Sequence, residues 1–190
     1  GFTINDTVLK TCGIRTAMPD TENEALLTMM MANTQADSIS RQKYIDDYIR
    51  KFPSSTEGYT NKASGYVNSG KFEEADKVMK TAIEKAAKKD EAHSEYAKVI
   101  YQKELFNNQP YTNWSLDKAL DESKKASAIN DLEIYRHQQA QIIYSKGEYQ
   151  NAYDMFMALT KTKIRNGELF YEASQCKTQL KAPQKEITTL

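Results

Sequence analysis

Between Thr56 and Lys89, small and aromatic residues recur every three or four positions, first at Tyr59, Ala63 and Tyr66 and then at Ala75, Met79, Ala82 and Ile83. That spacing puts each set on one face of a helix, so the segment predicts two helices with a turn at Gly70 between them. The alternation returns at Ala140, Ile143, Gly147, Tyr149, Ala152, Phe156 and Leu159. Ser69-Gly70-Lys71-Phe72-Glu73-Glu74-Ala75 is echoed by Lys146-Gly147-Glu148-Tyr149-Gln150-Asn151-Ala152. Pro19 and Pro53 lie 34 residues apart, and Pro53 sets the start of the best unit at Thr56. A period of about 34 residues belongs to repeat architectures, in which each unit is one supersecondary element.

Each recurring residue type has a physical task. Small residues at the eighth position (Ala63, Ala97, Ala140) and the twentieth (Ala75, Ala119, Ala152) allow the two helices of a unit to approach closely, where a larger side chain would overpack. Glycine at position fifteen fits the left-handed backbone that ends a helix. The aromatic residue two places later, Phe72 or Tyr149, opens the second helix and brings a ring to bury. Proline at position thirty-two, at Pro19 and Pro53, stops the second helix.

Position by position, this pattern resembles the tetratricopeptide repeat (TPR). The resemblance implies an all-α fold, a right-handed α-solenoid of antiparallel helix pairs, and a fragment of a longer bacterial array. Run in both directions, the register predicts a single domain over residues 1–190. Residues 1–21 end a preceding repeat, and complete repeats cover 22–55, 56–89, 90–132 and 133–165. A truncated repeat covers 166–190. Repeat 22–55 is weakest in its small positions, where Met29 and Arg41 stand. Repeat 90–132 fits only with an insertion at about 105–115. Asn5 to Ala17 has the place of a second helix, and an array cut inside its repeats would expose Val8, Leu9, Ile187 or Leu190 and invite self-association.

Composition narrows the function. The 190 residues carry 26 basic and 26 acidic side chains, a balance that argues against a nucleic-acid or polybasic membrane surface. Ala25 to Ala36, the longest uncharged and fairly apolar stretch, is well short of the ~20 residues needed to cross a bilayer. No basic start followed by an apolar run opens the chain, so any export signal would have been upstream, and the compartment is not readable. Cys12 and Cys176 have no CxxC partner and read as small semi-buried hydrophobes. His93 and His137 stand without ligand spacing, so no metal and no cofactor is expected. Asp46, Asp47, Glu73 and Glu74 read as surface charge, and no acid–base pair for catalysis stands out.

The resemblance also implies a binding face. In TPR proteins the first helices of successive repeats line a groove for peptides or proteins. The groove positions map to Leu27, Met30 and Asn33, then Asn61, Ser64 and Asn68, then Glu95, Lys98, Tyr101 and Gln102, then His137, Gln138, Gln141 and Tyr144. Phe170 and Tyr171 would continue the line. Of the Met29-Met30-Met31 run, only Met29 should point inward. The family's carboxylate clamp is not matched, since Thr60 and Ser64, Ser94 and Lys98, and His137 and Gln141 occupy its places. The insertion admits two readings. Tyr111 and Trp114 could offer a loop contact, or Trp114 and Leu116 could fold back over the helix pair. The leading function is a non-enzymatic protein- or peptide-binding scaffold. The alternative is glycan or small-ligand binding in an exported bacterial protein, motivated by the 12 tyrosines and Trp114.

Overall fold

The structure is a computed structural model that describes residues 17–35, 38–162 and 167–181. Among the described residues there are nine α-helices and no strand. In chain order they are α1 (Glu22–Gln35), α2 (Ser38–Lys51), α3 (Thr56–Asn68), α4 (Phe72–Lys85), α5 (Lys89–Phe106), α6 (Leu116–Ile129), α7 (Glu133–Ser145), α8 (Tyr149–Leu159) and α9 (Gly167–Gln179). No helix among the described residues is long and apolar enough to cross a membrane. Most of Asn5 to Ala17 lies outside the described residues, as do Val8, Leu9, Cys12, Ile187 and Leu190. The chain divides into two compact units, Gly1–Ala92 and His93–Leu190.

In the first unit α1 packs on α2, α2 on α3 and α3 on α4. Three residues join α3 to α4, so the chain must turn back and the pair is antiparallel. The turn is a Schellman cap. Gly70 N–H donates to Val67 O at 3.0 Å and Lys71 N–H to Tyr66 O at 2.9 Å, with Gly70 at φ 73°. In the second unit, where α6 packs on α7, α7 on α8 and α8 on α9, the same turn recurs. Gly147 N–H donates to Tyr144 O at 2.9 Å and Glu148 N–H to Ile143 O at 3.2 Å, with Gly147 at φ 82°. Both cases give orphan carbonyls at a helix end a donor, which is why the glycine recurs.

The small residues sit where close approach demands them. Ala63, Ala75, Ala97, Ala119, Ala140 and Ala152 are all fully buried. Met29 is buried in a core with Ala25, Ile45 and Tyr48, while Met30 and Met31 are exposed, as helical spacing expects. Arg41 stands where the pattern expects a small residue. It is exposed, and α2 buries Ser40, Tyr44, Ile45 and Tyr48 instead. A guanidinium cannot be stranded between helices, so the short Ser40 side chain, one place earlier, is turned inward.

Gly58 has a different role from the turn glycines. A Cβ added there would lie 2.7 Å from Ile49 Cγ1 and 2.8 Å from Tyr48 Cδ1, so α2 lies directly against the α3 backbone. Gly58→Ala is expected to cost about 1–2 kcal/mol, with the overpacking only partly offset by better helix propensity. Gly65→Ala, in the same helix with nothing within 4 Å of the added carbon, is expected to stabilise by up to about 1 kcal/mol. Thermal melts of the two variants should therefore move in opposite directions.

The insertion expected at about 105–115 falls on the connection between α5 and α6. It begins later than the pattern predicts, because Leu105 and Phe106 still belong to α5. It ends in a cap, with the Ser115 side chain accepting from Lys118 N at 3.1 Å. Trp114 is only 4% exposed. Its ring meets Tyr96 edge-on at 6.3 Å and Tyr111 at 5.3 Å. The indole therefore covers the helix pair and is not an exposed loop contact, which corrects that part of the expected binding surface. Tyr111 remains half-buried.

α5 and α6 also share a charged centre. Glu122, 2% exposed, accepts from His93 Nδ1 at 2.7 Å, Lys118 Nζ at 2.6 Å and Lys125 Nζ at 3.0 Å. Burial pushes its carboxyl up, but the three donors outweigh burial and hold it below its ordinary value of 4.5. A depressed carboxyl contributes stability above its unfolded value and loses it as pH falls through the lower folded value. Glu122→Gln is expected to cost about 1–2 kcal/mol near neutrality, allowing for screening of the partly exposed lysines. The gap between wild type and variant should shrink once pH drops below 4.5, which paired melts at neutral and acid pH would measure.

Candidate functional site

The positions expected to line a groove fall on α1, α3, α5, α7 and α9, and each unit brings some of them together. In the first unit Asn33 Nδ2 donates to Asn61 Oδ1 at 2.6 Å, linking α1 to α3. Asn61 Nδ2 in turn donates to Glu57 O at 2.8 Å, so the two amides form a short fixed row. Ser64 is half-buried beside this row in sequence, Asn68 is exposed, and Leu27 and Met30 add exposed apolar surface on α1.

In the second unit the residues of α7 divide into two groups. Gln138 is committed to the fold. Its Nε2 donates to Ser94 O at 2.9 Å, and its Oε1 accepts from Ser94 Oγ at 3.2 Å and Ser123 Oγ at 2.7 Å. One amide thus ties α7 to α5 and α6, leaving one N–H of its side chain for anything else. Glu95 and Lys98 pair with each other at 3.2 Å on α5, and Gln102 is exposed one turn further along. Tyr101 exchanges a hydrogen bond with Ser145 Oγ at 3.0 Å.

The other group gathers around Glu172 of α9. Its Oε2 accepts from His137 Nε2 at 2.5 Å and its Oε1 from Gln141 Nε2 at 2.7 Å. A carboxylate only accepts, so Nε2 of His137 carries the proton. The bond to Glu172 holds the imidazole above its ordinary value of 6.5, against burial, which works the other way. The His137 ring meets Phe156 edge-on at 5.9 Å, and Tyr144 meets Tyr149 at 5.3 Å. A cavity of about 150 Å³ opens here, lined by Tyr101, Gln141, Tyr144, Phe156, Glu172 and Gln175.

Three of those six lining residues, Tyr101, Gln141 and Tyr144, were legible as groove positions. Glu172 and Gln175 were not. Phe170 and Tyr171 were the expected continuation, but Phe170 is half-buried and Tyr171 exposed, and it is Glu172 that meets α7. His137, Glu168 and Glu172 also bring three ligand atoms within 4.8 Å of one another. That nitrogen-and-oxygen set is of the type that holds a zinc-class ion. No ligand spacing marks this set in the sequence, because the two glutamates meet His137 from another helix.

No protein-family model matches the chain, and no curated protein matches it. Solved structures do. The structure described as "Crystal structure of YrrB: a TPR protein with an unusual peptide-binding site" is similar over 96% of this chain and 88% of its own, with a TM-score of 0.55 and 14% identity. PilF of Pseudomonas aeruginosa is similar over 84% of this chain and 69% of its own, with a TM-score of 0.62 and 9% identity. A MamA structure, "MamA MSR-1 C2", is similar over 88% of both chains, with a TM-score of 0.57 and 11% identity. At these identities the likeness is one of backbone, and it agrees with the glycine caps, the buried alanines and the antiparallel pairing. The chain has the TPR fold, an all-α array of antiparallel helix pairs.

Proposed function

We propose that the chain is a non-enzymatic scaffold that holds a peptide or protein against the first-helix face of its TPR-type pairs. The observation that carries this reading is the cavity beside α7, where half-buried tyrosines, amides and a carboxylate converge on a concavity too small for the ~300–1,000 Å³ of a drug-sized ligand. Such a surface offers an extended chain both backbone partners and a place for a side chain. The Asn33–Asn61 row gives the first unit an amide face of the same kind. The YrrB structure, whose description names a peptide-binding site, is a fold-level precedent.

The experiment is selection of binders from a displayed peptide library, followed by hydrogen exchange of the full chain with and without a selected peptide. Backbone amides around Asn61 or Gln141 are expected to slow on binding. Replacing Gln141 by Ala is expected to weaken binding by about 1 kcal/mol. Protection confined to the connection at 107–115 would overturn this reading. Quenching of Trp114 fluorescence by oligosaccharides would favour glycan binding instead, although its buried indole gives a sugar no exposed platform.

A further inference from the structure

We propose that the cavity among α5, α7 and α9 receives the side chain of a lysine or arginine from an extended partner segment. The aliphatic stem lies against the rings of Tyr101, Tyr144 and Phe156, and the charged head meets Glu172. This rests on the scaffold reading above and names the chemistry of its partner.

The lining decides the sign of the guest. Its six residues are three aromatic rings, two amides and one carboxylate, with no cationic side chain among them. An acidic guest would face Glu172, with Glu168 one turn away on the same helix. A wholly apolar guest would cover Glu172 and the two glutamines without giving them a partner, at a desolvation cost. A lysine or arginine avoids both penalties. Its methylene stem buries against rings while the head stays polar. Ring faces attract a cation, and a charge-assisted hydrogen bond to a carboxylate is roughly twice as strong as a neutral one. Glu172 has capacity for it, since His137 and Gln141 use two of about four lone-pair sites.

The test uses the full ¹⁵N-labelled chain, titrated with N-acetyl-lysine methylamide, its arginine counterpart and the neutral norleucine analogue, all with a chelator present. The expected result is saturable shifts confined to amides near Gln141, Glu172 and Gln175, with dissociation constants of about 1–10 mM. The norleucine analogue should bind about 10-fold more weakly, as should the lysine compound on Glu172→Gln. Equal binding of the norleucine analogue to wild type would overturn the assignment, whether or not any variant folds. So would shifts located elsewhere, or binding that appears only when zinc replaces the chelator. An uncharged Gly-Ser-Asn dodecapeptide is titrated in parallel. If it perturbs Asn61 or Gln138 while the cationic compounds perturb nothing, the cavity assignment falls and the scaffold reading survives.

Discussion

Replacing Trp114 by Ala is expected to remove about 3–5 kcal/mol of stability from the unit that contains it. The indole is almost wholly enclosed and meets two rings edge-on, Tyr96 on α5 and Tyr111 within the connection. Truncation loses the transfer energy of a large side chain and leaves a void that Tyr96 cannot close without leaving its own packed position. The backbone bond from Trp114 N–H to Tyr111 O at 3.0 Å, immediately before the Ser115 cap of α6, is retained in the variant, so the loss reports the side chain. Chemical denaturation followed by far-ultraviolet circular dichroism measures the loss. A midpoint that hardly moves would show that the connection is held without its indole. Trp114→Phe keeps an aromatic face and should recover more than half of the deficit.

Tyr48→Ala is expected to cost a similar amount, about 3–5 kcal/mol, in the first unit. Its ring is fully buried, packs 5.3 Å from Phe52, and provides the surface against which Gly58 allows α3 to lie. Its hydroxyl has a separate role. Ser55 Oγ donates to Glu57 Oε2, so the 2.9 Å contact between Tyr48 and Ser55 must have the phenol as donor. Burial pushes that phenol up to about 12, which keeps the donor proton in place. Tyr48→Phe should therefore cost only about 0.5–1.5 kcal/mol, the value of a phenol proton held by Ser55 Oγ and, at 3.5 Å, by Glu22 Oε1. Comparing the two variants in a single denaturant series separates ring from hydroxyl. Near-equal losses would mean that the hydrogen bond, and not the packing, holds α2 to the start of α3.

The parts of this fold that were legible in the sequence are those whose physical demand is local. Gly70 and Gly147 are readable because a left-handed residue is needed at a fixed offset from the helix it ends. The buried alanines are readable because close approach recurs with every pair. Arg41 stands where the register expects a small residue, and counting alone does not say that its neighbour Ser40 turns inward instead. Gln138 was placed on the correct helix but with the wrong availability. Its partners Ser94 and Ser123 lie far off in sequence, and no periodicity marks a side chain whose oxygen and one N–H are already bonded. Glu172 was missed for the complementary reason. It lies in the segment expected to hold a truncated repeat, beside the expected groove residues Phe170 and Tyr171, and its partners His137 and Gln141 lie on another helix. Trp114 was open to both readings from composition alone, since an aromatic residue in a long connection has the same sequence signature whether it faces solvent or core.

Cys176 gives this architecture a built-in gauge. It is fully enclosed within the cluster formed by α7, α8 and α9, and burial, aided by the nearby charge of Glu172, pushes its thiol up to about 11. The thiolate is the form that attacks an alkylating reagent, so the closed state barely reacts and modification has to wait for α9 to lift from α8. Under conditions where reclosure outruns modification, the rate at which this thiol is labelled, relative to a free cysteine peptide, gives the free energy of that local opening directly. Peptide mapping keeps its signal apart from that of Cys12, so the opening of α9 from α8 can be followed without adding a probe.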